Sequence, residues 1–104
     1  MEKTFRILTT SVFDKLFEQL SRVEKERIIK LKDSLKLNPF SGKPLGYCFF
    51  REKKIGGNRL YYLIYEDKLI ILFVFYSNKK MQQQTINKIK FELEKYKAYV
   101  KSID

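Results

Sequence analysis

The stretch from Leu69 to Tyr76 contains only apolar and aromatic side chains, and it constrains the fold more than any other part of the sequence. A strand that is apolar on both faces must be covered on both faces, so we expect it to lie inside a sheet. Two further strand candidates precede this run, Tyr47 to Ile55 and Arg59 to Glu66. The turn Gly56-Gly57-Asn58 joins these two candidates, and the turn Glu66-Asp67-Lys68 joins the second one to the apolar run. Turns this short join neighbouring antiparallel strands. The run is also too short to cross a bilayer, and no membrane partner is expected.

Helical spacing describes the apolar positions before these strands. After a short strand at Phe5 to Thr9, an apolar stripe from Val12 to Leu20 predicts a first helix, with Thr10 or Ser11 as its cap. Ser21 and the glutamate three residues later have the spacing of a capping box, which predicts a second helix. Asn38-Pro39 should end that helix, and residues 40–46 are predicted to form a loop.

A single long amphipathic helix is predicted for the C-terminal part of the chain. From Lys79 onward, apolar side chains recur at steps of three and four residues, which corresponds to about five helical turns or more. The predicted order is therefore β-α-α-β-β-β-α. This order indicates an α+β fold, in which a small, mainly antiparallel sheet packs against a helical hairpin and a C-terminal helix. The length suits one domain, expected to span residues 1–104.

The composition of the chain points to polyanionic partners. There are 22 Lys and Arg residues against 12 Asp and Glu, a net charge of +10. A small domain this basic commonly binds nucleic acid, an acidic protein or an anionic surface, although a coat of lysines that only keeps the protein soluble is the alternative. Because the sequence has no histidine, imidazole-dependent hydrolase triads and most zinc sites are excluded, and we expect neither a metal nor a cofactor.

The single cysteine, Cys48, bears on the compartment in which the protein works. It cannot form an internal disulfide, and with no imidazole to activate it we expect a buried apolar side chain rather than a nucleophile. The first residues also lack the apolar core of a signal peptide. These features predict a cytoplasmic protein.

Cations cluster around the predicted turn at Gly56-Gly57, where three precede the turn and Arg59 follows it. Such a cluster suits a site that holds a phosphate backbone. The planar guanidinium of Arg59 can pair with two phosphate oxygens, and the glycine turn leaves space for a phosphate to approach. The alternative is a surface arginine that forms an ion pair with Glu52 or Glu66.

Strand alternation divides the cations before the turn between two faces. Arg51 and Lys53 share one face of the predicted strand, while Glu52 and Lys54 share the other. At most one of Lys53 and Lys54 can therefore line a site, and either lysine can instead be an ordinary solvated charge. We predict that Arg59, Arg51 and Lys53 form the set that faces the phosphate.

The order of these elements resembles the RelE/ParE toxin superfamily over nearly the whole chain. The resemblance depends on Asn38-Pro39, Gly42-Lys43-Pro44-Leu45, the basic strand, and the segment that continues from Arg59 through Leu-Tyr-Tyr-Leu-Ile-Tyr. It implies the toxin of a toxin–antitoxin pair, which a cognate antitoxin holds inactive. RelE-like members enter the A site of the ribosome and cut the messenger RNA, whereas ParE-like relatives share the fold and poison gyrase.

Metal-independent RNA cleavage needs a base for the 2′-hydroxyl proton, cations for the phosphorane, and an acid for the leaving 5′-oxygen. The product would be a 2′,3′-cyclic phosphate. RelE-like nucleases use an arginine just after the last strand, and the resemblance implies that Lys79 or Lys80 takes its place here. The predicted catalytic residues are Arg59, Lys53, Lys54, Lys79 and Lys80.

Four further residues are predicted to bind RNA, namely Arg51 and Lys43 through phosphate and Tyr61 and Tyr76 through base stacking. The two tyrosines have an alternative place in the core. Many RelE-like nucleases carry a tyrosine early in the C-terminal segment, where this chain has Met81-Gln-Gln-Gln-Thr-Ile86. The glutamines can hydrogen-bond bases or simply form a polar helix face. The missing tyrosine leaves a ParE-like gyrase inhibitor, or a catalytically inactive nucleic-acid-binding relative, as the alternative function.

Overall fold

The computed structural model describes residues 4–103, and a five-stranded sheet forms its middle layer. The strands are β1 (Arg6–Thr9), β2 (Lys43–Tyr47), β3 (Phe50–Ile55), β4 (Asn58–Tyr65) and β5 (Ile70–Asn78). They lie in the order β1-β5-β4-β3-β2, with β1 parallel to β5 and the other neighbours antiparallel. The sheet is therefore mainly antiparallel, as the sequence predicts.

Helices cover both faces of this sheet. They are α1 (Ser11–Glu18), α2 (Arg22–Leu37), α3 (Gln82–Phe91) and α4 (Leu93–Ile103). Side chains of α1 and α2 share a core with one face of the sheet, and side chains of α3 and α4 share a second core with the other face. This arrangement confirms the predicted α+β class. Within the described range, no helix is both long enough and apolar enough to cross a membrane.

β5 shows why its apolar sequence was informative. Leu72 and Phe73 are successive residues of β5, and both are fully buried. Phe73 packs in the core with α1 and α2, and Leu72 packs in the core with α3 and α4. Successive side chains of a strand point to opposite faces, so a strand between two helical layers needs apolar residues at every position. The predicted strand that is covered on both faces is confirmed.

Local capping chemistry sets the helical hairpin where the sequence predicts it. The hydroxyl of Thr10 accepts a hydrogen bond from the backbone N–H of Phe13 at 3.0 Å, and Ser21 accepts one from Glu24 at 3.2 Å. These bonds satisfy N–H groups that have no partner within the first turn of a helix. α2 then ends at Leu37, immediately before Asn38-Pro39.

The predicted loop at residues 40–46 is wrong, because β2 lies there and forms a hairpin with β3. The strand predicted over Tyr47 to Ile55 is likewise interrupted by a turn at Cys48 and Phe49. Ser41-Gly42-Lys43-Pro44 suggested a loop, but an edge strand tolerates proline, and the strand accommodates an irregularity of the pairing where Gly46 adopts φ +92°. Cys48 is exposed in this turn, so its predicted burial is also wrong.

The C-terminal segment forms two helices instead of the predicted single one. The chain leaves helical geometry at Glu92, where φ is −104° and ψ is 15°, and its N–H bonds to the carbonyls of Lys88 and Ile89. The apolar spacing continues across the break, with Leu93 and Val100 packing in the same core as Ile89. Periodicity alone therefore did not reveal the break.

Candidate nucleic-acid interface

The turn between β3 and β4 collects cations from two parts of the chain. Gly56 adopts φ +62°, which glycine reaches without steric cost, and the carbonyl of Gly57 accepts a hydrogen bond from the N–H of Lys79 at 3.3 Å. This bond brings the end of β5 to the same end of the sheet as the turn. Lys54, Lys79 and Lys80 are all exposed there, and we call these three residues the lysine rim.

Beneath the lysine rim lies a buried polar group, which we call the Glu52 cluster and define as Glu52, Arg59 and Gln82. The Glu52 side chain is 2% exposed and the Arg59 side chain 7%, with Arg59 Nε 3.7 Å from Glu52 Oε2. Gln82 Nε2 donates to both carboxylate oxygens, at 2.9 and 3.0 Å. Arg59 Nη1 donates to the carbonyl of Asn58, whereas Arg59 Nε has no hydrogen-bond partner within residues 4–103. A buried guanidinium and carboxylate thus lie side by side next to surface lysines.

Two sequence-based expectations about Arg59 need correction. Its side chain is buried rather than open to a phosphate, so the ion pair with Glu52 is present but lies in the interior rather than at the surface. Arg59 also lies opposite Lys54 in the β3–β4 register, and directly opposed residues share a face. It is therefore on the opposite face from Arg51 and Lys53, and the predicted phosphate-facing set is divided between two sides of the sheet.

Arg51 has a structural setting that the sequence did not indicate. Its Nε donates to the carbonyl of Cys48, and its Nη1 donates to the carbonyls of Phe40 and Gly42, all at 2.8 Å. The guanidinium also lies 5.0 Å from the centre of the Phe40 ring. These contacts tie the β2–β3 hairpin to the segment that follows the helical hairpin, and the predicted phosphate contact of Arg51 would compete with them.

The remaining predicted cations differ in their access to the site. Lys53 is half-buried on the face of the sheet that α1 and α2 cover, away from the Glu52 cluster. Lys43 is exposed on the edge strand β2, directly opposite Glu52 in the register. Lys43 therefore extends the cationic surface on the side of the sheet that carries the lysine rim.

The tyrosines predicted to stack on bases are buried instead, which agrees with the alternative prediction that they lie in the core. Tyr61 is fully buried, its hydroxyl accepts a hydrogen bond from Ser77 at 3.3 Å, and burial raises its pKa. Tyr76 is 6% exposed and donates to Glu24 at 2.7 Å, and burial followed by this bond raises its pKa to about 12. A ring in the core has no face free for a base.

Glu24 connects α2 to this end of the sheet through Tyr76. The Glu24 carboxylate also accepts a bond from Asn58 at 3.0 Å, and these donors lower its pKa from 4.5, with Tyr76 as the largest cause. The Glu24 carboxylate therefore binds a proton less readily in the folded protein than in the unfolded chain. The stabilisation is complete above pH 4.5 and is lost as the pH falls through the lowered value.

We therefore expect Tyr76→Phe to destabilise the protein by about 0.5–1 kcal/mol at neutral pH, a small value because Glu24 lies near the surface. This difference from wild type should shrink below pH 4.5 in urea unfolding. Tyr62→Phe is the control, because the Tyr62 hydroxyl donates to the Pro39 carbonyl and accepts from the Gly42 N–H, and neither partner is a carboxylate. If the destabilisation caused by Tyr76→Phe depends on pH no more than that caused by Tyr62→Phe, the role of Glu24 is contradicted.

Sequence reasoning missed Glu52 and Gln82 as members of the site. The signal was available for Glu52, because a two-residue turn at Gly56-Gly57 fixes the register and places Glu52 diagonally across from Arg59. No comparable signal exists for Gln82, whose contact with Glu52 spans 30 residues of sequence. That contact depends on how α3 packs over the sheet.

An apolar groove lies beside this site, between the start of α1 and the helices α3 and α4. Its volume is about 390 Å³. Three exposed apolar side chains, those of Val12, Met81 and Tyr99, line it. Lys88 and Lys95 stand among the same lining residues. The groove thus combines an apolar surface with basic side chains.

The chain is similar to solved RelE structures in fold. The free-state structure of a mutant E. coli RelE toxin superposes with a TM-score of 0.70 at 15% identity, covering 82% of this chain and 92% of the toxin. The intact E. coli RelBE toxin–antitoxin complex gives 0.65 at 18% identity, covering 72% and 95%. The archaeal RelE–RelB complex from Pyrococcus horikoshii OT3 also gives 0.65 at 18% identity, covering 73% and 96%.

Similarity in sequence alone is much weaker. No family model matches the chain, and no curated protein matches it at a significant level. The similarity is therefore one of fold. The fold of this chain is that of the RelE toxins.

Proposed function

We propose that this protein is the toxin of a toxin–antitoxin pair and that it cuts messenger RNA on the ribosome. The proposal is supported by the RelE fold together with one observation of the site, the Glu52–Arg59 pair beneath the lysine rim. A carboxylate, a guanidinium and several ammonium groups at one end of a sheet are the groups that metal-independent RNA cleavage needs.

In the proposed mechanism, the carboxylate of Glu52 takes the proton of the ribose 2′-hydroxyl, and the resulting oxygen attacks the adjacent phosphorus. The guanidinium of Arg59 stabilises the negative charge of the phosphorane, because a planar donor beside the reaction holds two oxygens at once. The lysine rim holds the flanking phosphates, and one of its ammonium groups protonates the leaving 5′-oxygen. The bond from phosphorus to that oxygen breaks, which leaves a 2′,3′-cyclic phosphate.

Production of the protein without its antitoxin tests this function. We expect incorporation of labelled amino acids to stop within minutes, before DNA synthesis is affected, because the target is the translating ribosome. Translation that continues in cells containing the folded protein would contradict the proposal.

A second candidate, a ParE-like gyrase inhibitor or a relative that binds nucleic acid without cutting it, is favoured by a specific observation. Arg59 is 7% exposed, and Tyr61 and Tyr76 are buried, so the free protein offers neither Arg59 as a phosphate fork nor these two tyrosines as a stacking platform. Gyrase poisoning would produce DNA breaks and a DNA-damage response with intact messengers. Broken messengers without a DNA-damage response separate the first candidate from this one.

We also propose that the antitoxin contacts the apolar groove beside the site. RelE proteins of the same fold have been crystallised with RelB antitoxins, and an amphipathic segment with acidic residues would suit an apolar groove lined by Lys88 and Lys95. The groove includes Met81 and Thr85, whose hydroxyl–carbonyl hydrogen bond of 2.8 Å lies at the start of α3. An occupant would therefore touch the helix end that carries Gln82.

A charge placed in the groove should release the toxin from its antitoxin. We expect Val12→Asp to weaken antitoxin binding at least tenfold, because a buried unpaired carboxylate is costly, while growth arrest in the absence of antitoxin is unchanged. Val23→Asp is the matched control, since Val23 is also an exposed valine but lies on α2 and not in the groove. Equal neutralisation of both variants by the antitoxin encoded beside the toxin would contradict the placement.

A further inference from the structure

The three successive glutamines at the start of α3 have three different surroundings. Gln82 is half-buried and donates to both oxygens of Glu52, at 2.9 and 3.0 Å. Gln83 is exposed and donates to the next turn of its own helix, at Asn87, while Gln84 is exposed and lines the apolar groove. Only the first of the three belongs to the candidate site.

The backbone around Gln82 is well fixed. The side chain of Asn78 accepts a hydrogen bond from the N–H of Met81 at 3.1 Å, and Thr85 donates to the carbonyl of Met81 at 2.8 Å. Thr85 is also 3.2 Å from the hydroxyl of Ser77 on β5. The backbone that carries Gln82 is therefore held over the sheet by its neighbours, and the side-chain amide reaches both oxygens of Glu52 from this fixed position.

The Gln82 amide gives Glu52 a particular kind of partner. An amide N–H is a neutral donor, so it satisfies the buried carboxylate without cancelling its charge. A ribose 2′-hydroxyl is also a neutral donor and can replace the amide, whereas a deoxyribose has no such group. Arg59 Nε lies 3.7 Å from the same carboxylate, is buried, and has no hydrogen-bond partner within residues 4–103, so a phosphate that enters beside Glu52 would find a free donor there.

We propose that Gln82 is a specificity-determining residue that makes entry to the Glu52 cluster depend on a 2′-hydroxyl. This inference rests on the proposed function, since it concerns the same site. RNA can displace the amide and keep Glu52 hydrogen-bonded while its phosphate approaches Arg59. DNA that displaces the amide leaves a buried carboxylate without a donor, which is heavily penalised, so DNA is confined to the lysine rim.

Removal of the amide should abolish this distinction. In Gln82→Ala, water can occupy the space of the side chain and hydrogen-bond Glu52 whichever nucleic acid is bound. Both nucleic acids then reach Arg59. The preference of the protein for RNA should accordingly fall about tenfold, mainly through tighter binding of DNA.

The test compares the affinities of one single-stranded RNA oligonucleotide and its 2′-deoxy counterpart, with deoxyuridine in place of uridine, at a fixed salt concentration. Wild type and Gln83→Ala should prefer RNA to the same extent, and Gln82→Ala should lose about tenfold of that preference. An unchanged preference in Gln82→Ala, or no preference in wild type, would overturn the inference. Binding is measured without cleavage, so a protein that fails to cut RNA refutes the proposed function and leaves this result readable.

Repeating the measurement in the Glu52→Gln variant separates a loss of the Gln82–Glu52 contact from a general effect of Gln82→Ala on the fold. In Glu52→Gln the carboxylate is absent, so adding Gln82→Ala should produce no further loss of RNA preference. A loss as large as in the wild-type background would show that Gln82 acts through something other than Glu52, and the inference would fail. Coincident urea-unfolding midpoints for the Gln82 and Gln83 variants establish that both are equally folded.

Discussion

Glu52→Gln is expected to reduce RNA cleavage by about 10²–10⁴-fold and to abolish growth arrest, because an amide cannot accept the 2′-hydroxyl proton. The substitution preserves the size of the side chain and its place opposite Gln82. It also leaves the buried Arg59 without a counter-ion, which costs about 3–5 kcal/mol, so the free energy of unfolding must be measured on the same sample. Rates are compared as the yield of cut messenger on purified translating ribosomes.

Glu52→Asp separates the chemical effect from the structural one. It keeps the negative charge beside Arg59 and withdraws the carboxylate by one methylene, and a misplacement of about 1 Å costs about 10²-fold in rate. We therefore expect a stable protein that is about a hundredfold slower. If folded Glu52→Asp and Glu52→Gln proteins both cut at the wild-type rate, Glu52 is not the base.

Replacing the whole lysine rim by alanine is expected to remove most of the salt-dependent affinity for RNA. Each phosphate contact to a single strand contributes about 0.7 to the slope of log K against log salt, so three lost contacts lower the slope by about 2. The measurement is a titration of single-stranded RNA at several salt concentrations. Because the three side chains are exposed, the fold should be unaffected.

A triple variant outside the groove is the matched control for the lysine rim. Alanine at Lys36, Lys97 and Lys101 removes the same number of charges, and Lys36 and Lys97 lie toward the other end of the sheet, near Phe5 and Asp67. We expect the salt slope of this variant to stay close to that of wild type. Equal slopes for the two triple variants would show that net charge alone, rather than the lysine rim, governs binding.

Sequence patterns predicted those parts of the fold that local chemistry determines. Thr10 and Ser21 cap helices, Asn38-Pro39 ends one, and the apolar run at β5 is a strand covered on both faces, because each depends on nearby residues. β2 was missed because its stability comes from pairing with β3 and from the guanidinium of Arg51. Neither is visible in the local composition of residues 40–46.

The candidate site was only partly predictable for a similar reason. The cations at the β3–β4 turn were found from their clustering, and Lys54, Lys79 and Lys80 are exposed together at one end of the sheet. The burial of Arg59 depends on which face it occupies, and that face follows from the register with Lys54 rather than from charge. Gln82 reaches Glu52 only through the packing of α3 on the sheet, which no local pattern encodes.

Mapping of RNA ends in cells that produce the protein tests the central claim most directly. Wild type should generate new ends inside coding sequences, at the position of the codon in the ribosomal A site, and the upstream fragments should carry 2′,3′-cyclic phosphates. Cells that contain equal amounts of folded Glu52→Asp should show these ends at about a hundredth of the frequency. Intact messengers alongside arrested growth, or the same ends at the same frequency in both strains, would contradict RNA cleavage by the Glu52 cluster.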